Sequence, residues 1–316
     1  MKKWFVFLYF LFIAAESFAQ KYVLALEPVF GIRRGEIQEA LFFDGYFGTD
    51  STKKCSELLW KEDKTFFCGG DLQFAIKSKK DYFCFTNTIY FVLLLTNGSM
   101  SDDDWNSAGK KSTSTTFDTL LDKGLDCRLR FSYKKHFFDG FYLSPSISAL
   151  YSYISYKGKN GRGWYYLDSE EPHYYPDGKK HPAGINYNST CAGVFTGLEL
   201  EKDFDSGLKL YAGAEVSPFA FVLACDRHLG SKDYFTYEDY FYTIFLDYNF
   251  YIKIEQKIYR NIYLTLSGAV EKFVFTKGEE YYNWDEDSHS TLSSQDAGYS
   301  SYKIKFCLGT KIYFSF

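Results

Sequence analysis

The chain has 316 residues, a formal net charge of −4 at pH 7, and an aromatic content of 21%. So small a net charge excludes the strongly basic surface typical of nucleic-acid-binding proteins, and we expect no nucleic-acid partner. The 7 cysteines are odd in number and contain no CxxC pair, which argues against a disulfide framework and a zinc site.

The first residues have the three parts of a secretory signal peptide. Lys2 and Lys3 precede the apolar run WFVFLYFLFIAA, and Ser17-Phe18-Ala19 supplies a small-x-small cleavage site. The apolar run is shorter than the ~18–20 residues that a membrane-spanning helix needs. We therefore expect 1–19 to be a signal peptide and 20–316 to form a single domain.

Segments in which apolar and polar residues alternate follow the leader along the whole chain. Alternation explains how a chain rich in Tyr and Phe still has a negative mean hydropathy. The segments lie at 22–44, 53–77, 81–96, 114–133, 136–157, 186–203, 206–224, 234–256, 259–277 and 297–316. Short charged turns alternate with longer connections at 97–112, 158–185, 225–233 and 278–296. This pattern predicts an all-β fold, a ten-stranded antiparallel transmembrane β-barrel extending above the outer membrane.

The first long connection contains the stretch SMSDDDWNS, 99–107. If the strand period continues, Asp102 and Asp104 point to one side and Asp103 to the other. Two neighbouring carboxyls can hold and polarise a water molecule. A solvated surface loop is the alternative, since runs of charge commonly just face water.

A second long connection begins with ACDRHLG, 224–230, in which Asp226 and His228 are two residues apart. A carboxylate beside a histidine can orient the imidazole as a general base. Each motif occurs often by chance, but both are predicted at the same end of the barrel. Metal binding is a further reading, yet no third or fourth ligand stands at a telling spacing, so we expect no metal. The side chain of Cys225 should face away from Asp226, which disfavours it as a nucleophile.

Two prolines interrupt predicted strands, and each removes a backbone N–H from the sheet, so we predict bulges at Pro28 and Pro218. The second bulge is also required by side-chain direction. Strict alternation would put Leu210 on the same face as Asp226 and His228, although lipid-facing and catalytic side chains cannot share a face. A bulge near Ser217-Pro218 would reset the alternation.

The closing segment 299–316 alternates most regularly, with an apolar face that includes Ile304, Phe306, Leu308 and Ile312. It ends on Phe316, as the last strand of outer-membrane barrels commonly does.

With CSELLWKED (55–63), SDDDWNS (101–107), DTLLD (118–122), ACDRHLG and this closing strand, the chain resembles the omptins. Omptins are ten-stranded outer-membrane endoproteases with an active site in an extracellular groove. The resemblance places the family's D-x-D-W on Asp102, Asp104 and Trp105, and its D-x-H on Asp226 and His228. It implies that water is the nucleophile, His228 its base, Asp226 the orienting group, and the aspartate pair a water-positioning group.

The resemblance also implies a substrate-binding role for Glu39, which matches an acidic specificity position of the family. A second position that is acidic in the family holds Ala224 in this chain. A third such position falls within the basic stretch AGKKSTS, 108–114. A preference for basic substrates is therefore weakened. Tyr153 stands where the family has an arginine that binds lipopolysaccharide, so lipopolysaccharide dependence is in doubt.

We expect peptide or protein substrates, basic ones among them, contact with outer-membrane lipid, a monomeric state and no cofactor. Two other functions remain open at this point. The aromatic-rich stretch GWYYLDSEEPHYYPDG, 163–178, suggests a non-proteolytic barrel that acts as an adhesin or surface-binding protein. A diffusion pore is the other, although ten strands leave only a narrow lumen.

Overall fold

The computed structural model describes residues 21–42, 53–93, 97–166, 171–175, 184–229, 235–243, 247–283 and 292–316. These residues form β-strands and connecting turns. The strands are β1 (Lys21–Phe42), β2 (Lys54–Ser78), β3 (Asp81–Val92), β4 (Asn97–Trp105), β5 (Lys111–Phe138), β6 (Phe141–Tyr165), β7 (His173–Tyr175), β8 (Ile185–Asp203), β9 (Leu208–His228), β10 (Phe235–Thr243), β11 (Asp247–Tyr259), β12 (Ile262–Asn283) and β13 (Leu292–Ser315). The predicted signal peptide at 1–19 lies outside the described residues. In the described part of the chain, no helix is long and apolar enough to cross a membrane.

The strands pair antiparallel around a closed ring. The ring has ten positions. In order they hold β1, β2, the pair β3 and β4, β5, β6, β8, β9, the pair β10 and β11, β12, and finally β13, which pairs with β1. β3 and β4 share one position between β2 and β5, and β10 and β11 share one between β9 and β12. The three-residue strand β7 pairs with β6 outside this ring. The predicted ten-stranded antiparallel barrel is confirmed.

One end of the ring, called here the lower end, has tight turns. Lys79 (φ 58°), Asp139 (φ 36°) and Arg260 (φ 37°) take left-handed conformations in three of them. The turn between β5 and β6 was expected near Lys134-Lys135, but β5 continues to Phe138 and the chain reverses at Asp139-Gly140. A glycine fits the position after Asp139 because its φ is 70°. The chain termini of the described residues also meet at this end, where Tyr22 and Phe316 exchange backbone hydrogen bonds.

A belt of exposed apolar side chains surrounds the lower part of the barrel. Examples are Leu26, Phe30, Phe83, Phe131, Ile147, Leu198, Phe250, Leu266, Phe306 and Leu308. At the top of the belt, Phe219 on β9 pairs with Val194 on β8. So large an exposed apolar surface fits lipid and would be a liability in water. We take this belt as the membrane-spanning part of the barrel.

The interior at belt level is filled by ion pairs. Arg33 contacts Glu62 at 2.8 Å, Lys305 contacts Asp126 at 3.0 Å, and a third pair joins Lys311 and Glu255 at 2.9 Å. Such buried charges persist because each has an opposite charge beside it.

Several β-bulges lie above or near the top of the belt, and a bulge reverses which alternate residues of its strand face inward. On β9, Val216 pairs with Thr196 but Phe219 pairs with Val194, so an extra residue lies at Ser217-Pro218. The predicted bulge at Pro218 is therefore confirmed. Further bulges include those at 63–64 on β2, at Asp122 on β5 and at 274–275 on β12.

The bulge predicted at Pro28 does not exist. Leu26 pairs with Ile312 and Val29 with Gly309, so the register of β1 against β13 is the same on both sides of the proline. The pairing of Pro28 with Gly70 of β2 is likewise continuous.

Above the ion pairs, an apolar cluster crosses the interior. It is built from inward-facing side chains of most strands, among them Ile37, Trp60, Met100, Phe117, Leu121, Ile154, Val222 and Phe241. Trp60 stacks on Tyr187 at 4.9 Å and on Tyr156 at 5.5 Å between ring centroids. This apolar layer fills the lumen with packed side chains, which argues against a diffusion pore.

Candidate active site

The three aspartates of the first motif lie on a strand. The sequence placed them in a loop, but β4 continues the line of β3 and ends at Trp105. Asp102 pairs with Leu58 of β2 and Thr115 of β5, and Asp104 pairs with Ser56 of β2. Regular strand geometry therefore fixes the direction of each side chain.

Asp103 and Trp105 lie on the opposite face of β4 from Asp102 and Asp104. The carboxylate of Asp103 accepts a hydrogen bond from Ser114 Oγ at 2.5 Å and pairs with Lys111 Nζ at 3.0 Å. Trp105 lies between two cations, with Lys54 at 4.7 Å and Lys111 at 5.1 Å from its ring centroid. The predicted side-chain directions, with Asp102 and Asp104 on one side of the strand and Asp103 on the other, agree with this geometry.

Asp226 and His228 lie at the upper end of β9, and they also belong to a strand where a loop was expected. The bulge at Ser217-Pro218 reverses which residues of β9 face inward. Above the bulge, the residues buried inside the barrel are Ala220, Val222, Ala224 and Asp226, whereas Leu210 below the bulge is exposed. Asp226 Oδ2 lies 2.7 Å from His228 Nε2. The side chain of Asp226 is 5% exposed and that of His228 36%, so the imidazole reaches solvent while its partner does not.

The two pairs act on each other electrostatically across the mouth of the barrel. On the shorter path around the ring, β4 and β9 are separated by β5, β6 and β8. Burial, together with the charge of Asp104, raises the pKa of Asp102 to about 7, against the opposing effect of the charge of His228. Burial also raises the pKa of Asp104, against a hydrogen bond with Ser56 and the charge of His228.

The pKa of His228 is raised by this surrounding negative charge. Burial alone would lower it, but the hydrogen bond and the charge of Asp226 outweigh burial, and Asp102 and Asp104 add to the effect. The ring also packs edge-on against Tyr237, 5.3 Å away between centroids. A basic histidine beside a pair of carboxyls that ionise with difficulty is an arrangement suited to proton transfer.

Glu39 lies on β1 beside this site. Its Oε1 accepts a hydrogen bond from Tyr187 Oη at 2.6 Å, and Tyr187 in turn rests on the Trp60 ring. Burial raises the pKa of Glu39 well above its ordinary value, and the charges of Asp226 and Glu280 raise it further. The ionisation of Glu39 on β1 therefore depends on the charge of Asp226 on β9.

Two acidic residues near the site were missed by the sequence analysis. Asp239 of β10 pairs with Ala224 of β9 and with Glu280 of β12, and both acids are buried on the inner face. The sequence pattern that could have revealed Asp239 and Glu280 is the alternation of residues within FTYEDYFYT and KGEEYYN. Tyrosines occupy both faces of these segments, so the alternation does not show which face is inside. In the described part of the chain, no three His, Cys, Asp or Glu side chains are grouped so as to hold a metal ion.

Both the sequence and the fold are similar to those of known proteins. The model of the Omptin family matches residues 21–314. The crystal structure of the outer membrane protease OmpT from Escherichia coli matches with a TM-score of 0.80 and 17% identity, over 92% of this chain and 97% of that one. The transport unit of the autotransporter AIDA-I from Escherichia coli matches with a TM-score of only 0.30 and 11% identity, over 94% and 91% of the two chains. Among proteins with curated functions, none matches the sequence significantly.

Proposed function

This chain belongs to the omptin family, and on that basis we propose that it is an outer-membrane endopeptidase that hydrolyses peptides or proteins with an activated water molecule. Family membership supports the outer membrane as its location and proteolysis as its activity. The extracellular direction of the site, the individual catalytic roles and the monomeric state are parts of the proposal.

One observation carries the proposal, namely the convergence of Asp226–His228 and Asp102–Asp104 on one mouth above the apolar belt. The distance of 2.7 Å between Asp226 Oδ2 and His228 Nε2 lets Nε2–H donate to the carboxylate. Nδ1 is then the ring nitrogen that can accept a proton from water. The cation formed on His228 is stabilised by Asp226, as in other carboxylate–histidine pairs.

The aspartate pair supplies the second half of the mechanism. Because the pKa of Asp102 is about 7, this carboxyl is partly protonated near neutral pH. A protonated carboxyl can donate a hydrogen bond to the developing oxyanion, while an ionised neighbour accepts one from the attacking water. Water attacks the scissile carbonyl, His228 takes its proton, and the same proton is available for the leaving amine.

The aspartate triplet offers a sharp test with its own control. Asp102→Asn and Asp104→Asn should each lower kcat for peptide cleavage about 10²- to 10³-fold, the usual loss when one transition-state hydrogen bond is removed. Asp103→Asn makes the same chemical change on the opposite face of the same strand and should leave kcat within about 2-fold, because the Asp103 side chain pairs with Lys111 and Ser114 and points away from the site.

Equal loss of activity in all three variants would contradict the division of the triplet, and full activity in Asp102→Asn would contradict the role of Asp102.

The adhesin alternative can be distinguished from proteolysis with variants of the same site. The stretch that suggested it, 163–178, lies partly outside the described residues. Binding to host surfaces that survives in Asp226→Asn, together with no cleavage by the wild type, would favour adhesion over proteolysis.

A further inference from the structure

The outer wall of the barrel carries a groove above the belt that the proposed mechanism does not use. The groove lies between β10 and β12 and has a volume of about 640 Å³, within the ~300–1,000 Å³ range of small-molecule sites. Because Asp239 and Glu280 on these strands are buried inside, the residues next to them point to the outside of the barrel. The groove is lined by Glu238, Tyr240, Tyr242, Lys277, Gly278, Glu279 and Tyr281.

Two tyrosines and two glutamates form a square in the upper part of this groove. Glu238 of β10 lies opposite Tyr281 of β12, and Tyr240 lies opposite Glu279. The Tyr240 hydroxyl donates a hydrogen bond to Glu238 at 3.0 Å, and the Tyr281 hydroxyl donates one to Glu279 at 2.6 Å. The two tyrosine rings meet edge to face, with 5.7 Å between their centroids. Both carboxylates are therefore held beside aromatic rings.

The two carboxylates of the square lack a cation of their own. In the part of the chain that the structure describes, neither Glu238 nor Glu279 takes part in a salt bridge. The lysine of the groove, Lys277, instead places its Nζ over the ring of Phe42, 5.2 Å from the centroid. A metal ion does not fit either, because no group of three acidic, histidine or cysteine side chains among the described residues could hold one.

The lower end of the groove lies at the height of the lipid headgroups. Tyr242 pairs with Phe221 of β9, which is two residues above Phe219 at the top of the belt. This row therefore lies ~7 Å above the belt along the strand, and Lys277 of β12 lies at the same level. The headgroup layer on each side of a bilayer is ~5–8 Å thick and contains the lipid phosphates. Carboxylates next to that layer are repelled by phosphates unless a cation lies between them.

The charges of the groove have a fixed order with distance from the membrane. Lys277 is nearest to the belt, and Glu279 follows two residues later, ~7 Å farther along β12. A phosphoethanolamine headgroup has the opposite charges in the same order, since its phosphate is joined to the lipid and its ammonium lies farther out. The tyrosine rings favour the same ligand, because the faces of aromatic rings attract cations.

We propose that this groove binds the phosphoethanolamine headgroup of a lipid in the membrane leaflet nearest the mouth. Lys277 binds the phosphate, and Glu238 and Glu279 bind the ammonium beside the rings of Tyr240 and Tyr281. A primary ammonium suits the carboxylates better than a quaternary one, because its N–H groups donate charge-assisted hydrogen bonds. The site lies on the outer wall, so this inference does not rest on the proposed peptidase activity.

Native mass spectrometry of the protein refolded in detergent provides the test. Three lipids with identical acyl chains are titrated separately, with phosphoethanolamine, phosphocholine or phosphoglycerol headgroups. Phosphocholine keeps both charges but has no N–H donor, and phosphoglycerol keeps the phosphate but has no cation. The wild type should bind one phosphoethanolamine lipid about 10-fold more tightly than either of the others, the effect of hydrogen bonds to a charged group.

Variants of the groove assign the two ends of the headgroup. Glu238→Gln and Glu279→Gln should each lower the preference for phosphoethanolamine over phosphocholine, and the double variant should abolish it. Lys277→Gln should weaken both lipids about equally, because both carry the phosphate. Glu36→Gln is the matched control, since Glu36 also faces outward opposite a tyrosine, Tyr302, but lies on β1 away from the groove. This variant should bind as the wild type does.

Two results would overturn the proposal. One is equal affinity of the wild type for the three lipids, and the other is a preference that survives in the double variant or is lost equally in Glu36→Gln. Far-ultraviolet circular dichroism of each variant checks folding. Peptide cleavage by the groove variants should equal that of the wild type, because these side chains face away from the site. A protein that cleaves no peptide but keeps the lipid preference would refute the proposed function alone.

Discussion

Replacing Asp226 by Asn tests the centre of the site with the smallest possible change. The substitution keeps the size of the side chain but removes the charge that holds His228 at 2.7 Å. An amide can donate to Nε2 as well as accept from it, so the imidazole loses its fixed tautomer. The negative charge that stabilises the protonated ring in the transition state is lost as well.

The size of the effect follows from these two losses. Neutralising the carboxylate of a carboxylate–histidine pair without changing its geometry typically lowers kcat about 10³- to 10⁴-fold. At about 1.4 kcal/mol per decade, this corresponds to a rise in the activation barrier of about 4 to 5.5 kcal/mol. KM should change little, because Asp226 is buried behind the histidine and acts mainly after the substrate has bound.

The pH profile provides a second, independent readout. Asp226 raises the pKa of His228 through a hydrogen bond and through its charge. A general base acts only when unprotonated, so the acid limb of the wild-type profile should lie above the ordinary histidine range. In Asp226→Asn this limb should move to lower pH.

The assay is the steady-state cleavage of a fluorogenic peptide by protein refolded in detergent, from pH 5 to pH 9, with Asp103→Asn as the control for a loss of one carboxylate. A variant with wild-type kcat would refute the role of Asp226. A variant with low kcat and an unmoved acid limb would show that Asp226 does not act through His228.

Three further predictions concern the framework of the site. Deleting Pro218 should remove the bulge, turn Asp226 toward the outer face and abolish activity, whereas Pro218→Ala should keep the extra residue and most of the activity in the same cleavage assay. In the folded state, Glu280 keeps its proton up to about pH 8 because its pKa is raised. In the unfolded chain, Glu280 loses the proton near its ordinary pKa of 4.5. The free energy of unfolding should therefore fall as pH rises from about 4.5 to about 8. Thermal unfolding in detergent should show this loss, up to about 1.4 kcal/mol per pH unit, and Glu280→Gln should reduce it. Arg33→Met should cost about 3–5 kcal/mol in urea unfolding because it strands Glu62, and adding Glu62→Gln should restore part of that loss.

The barrel could be predicted because its rules are local. Alternation in the closing strand, charged short turns and an even strand number each follow from the period of a β-strand and from the need to close a sheet in lipid. The bulge at Pro218 could also be predicted, because two observations pointed to it. Proline lacks a backbone N–H for the sheet, and the inward-facing side of the strand had to change between Leu210 and Asp226. At Pro28 only the missing N–H was present, and β1 continues through it without a shift.

The upper wall was harder to predict for a physical reason. Above the membrane there is no lipid to force the outer face to be apolar, so the alternation that marks a strand becomes weak. The segments 97–105 and 225–228 were therefore read as loops, although they are the ends of β4 and β9. Asp239 was overlooked for the same reason, since the tyrosines that flank it give no indication of which face is inside.

The apolar layer around Trp60 also separates the site from the ion pairs below it. The acids and bases at belt level are paired within their own layer, so they present little net charge to the mouth, and packed apolar side chains lie between the two layers. Substitutions that rearrange the lower pairs can then alter how firmly the barrel holds together without retuning the chemistry above. Substitutions at the mouth, for their part, can change its acidic groups while the membrane-spanning part of the barrel stays as it is. A scaffold divided in this way lets the chemistry of the mouth and the stability of the barrel be altered separately by mutation.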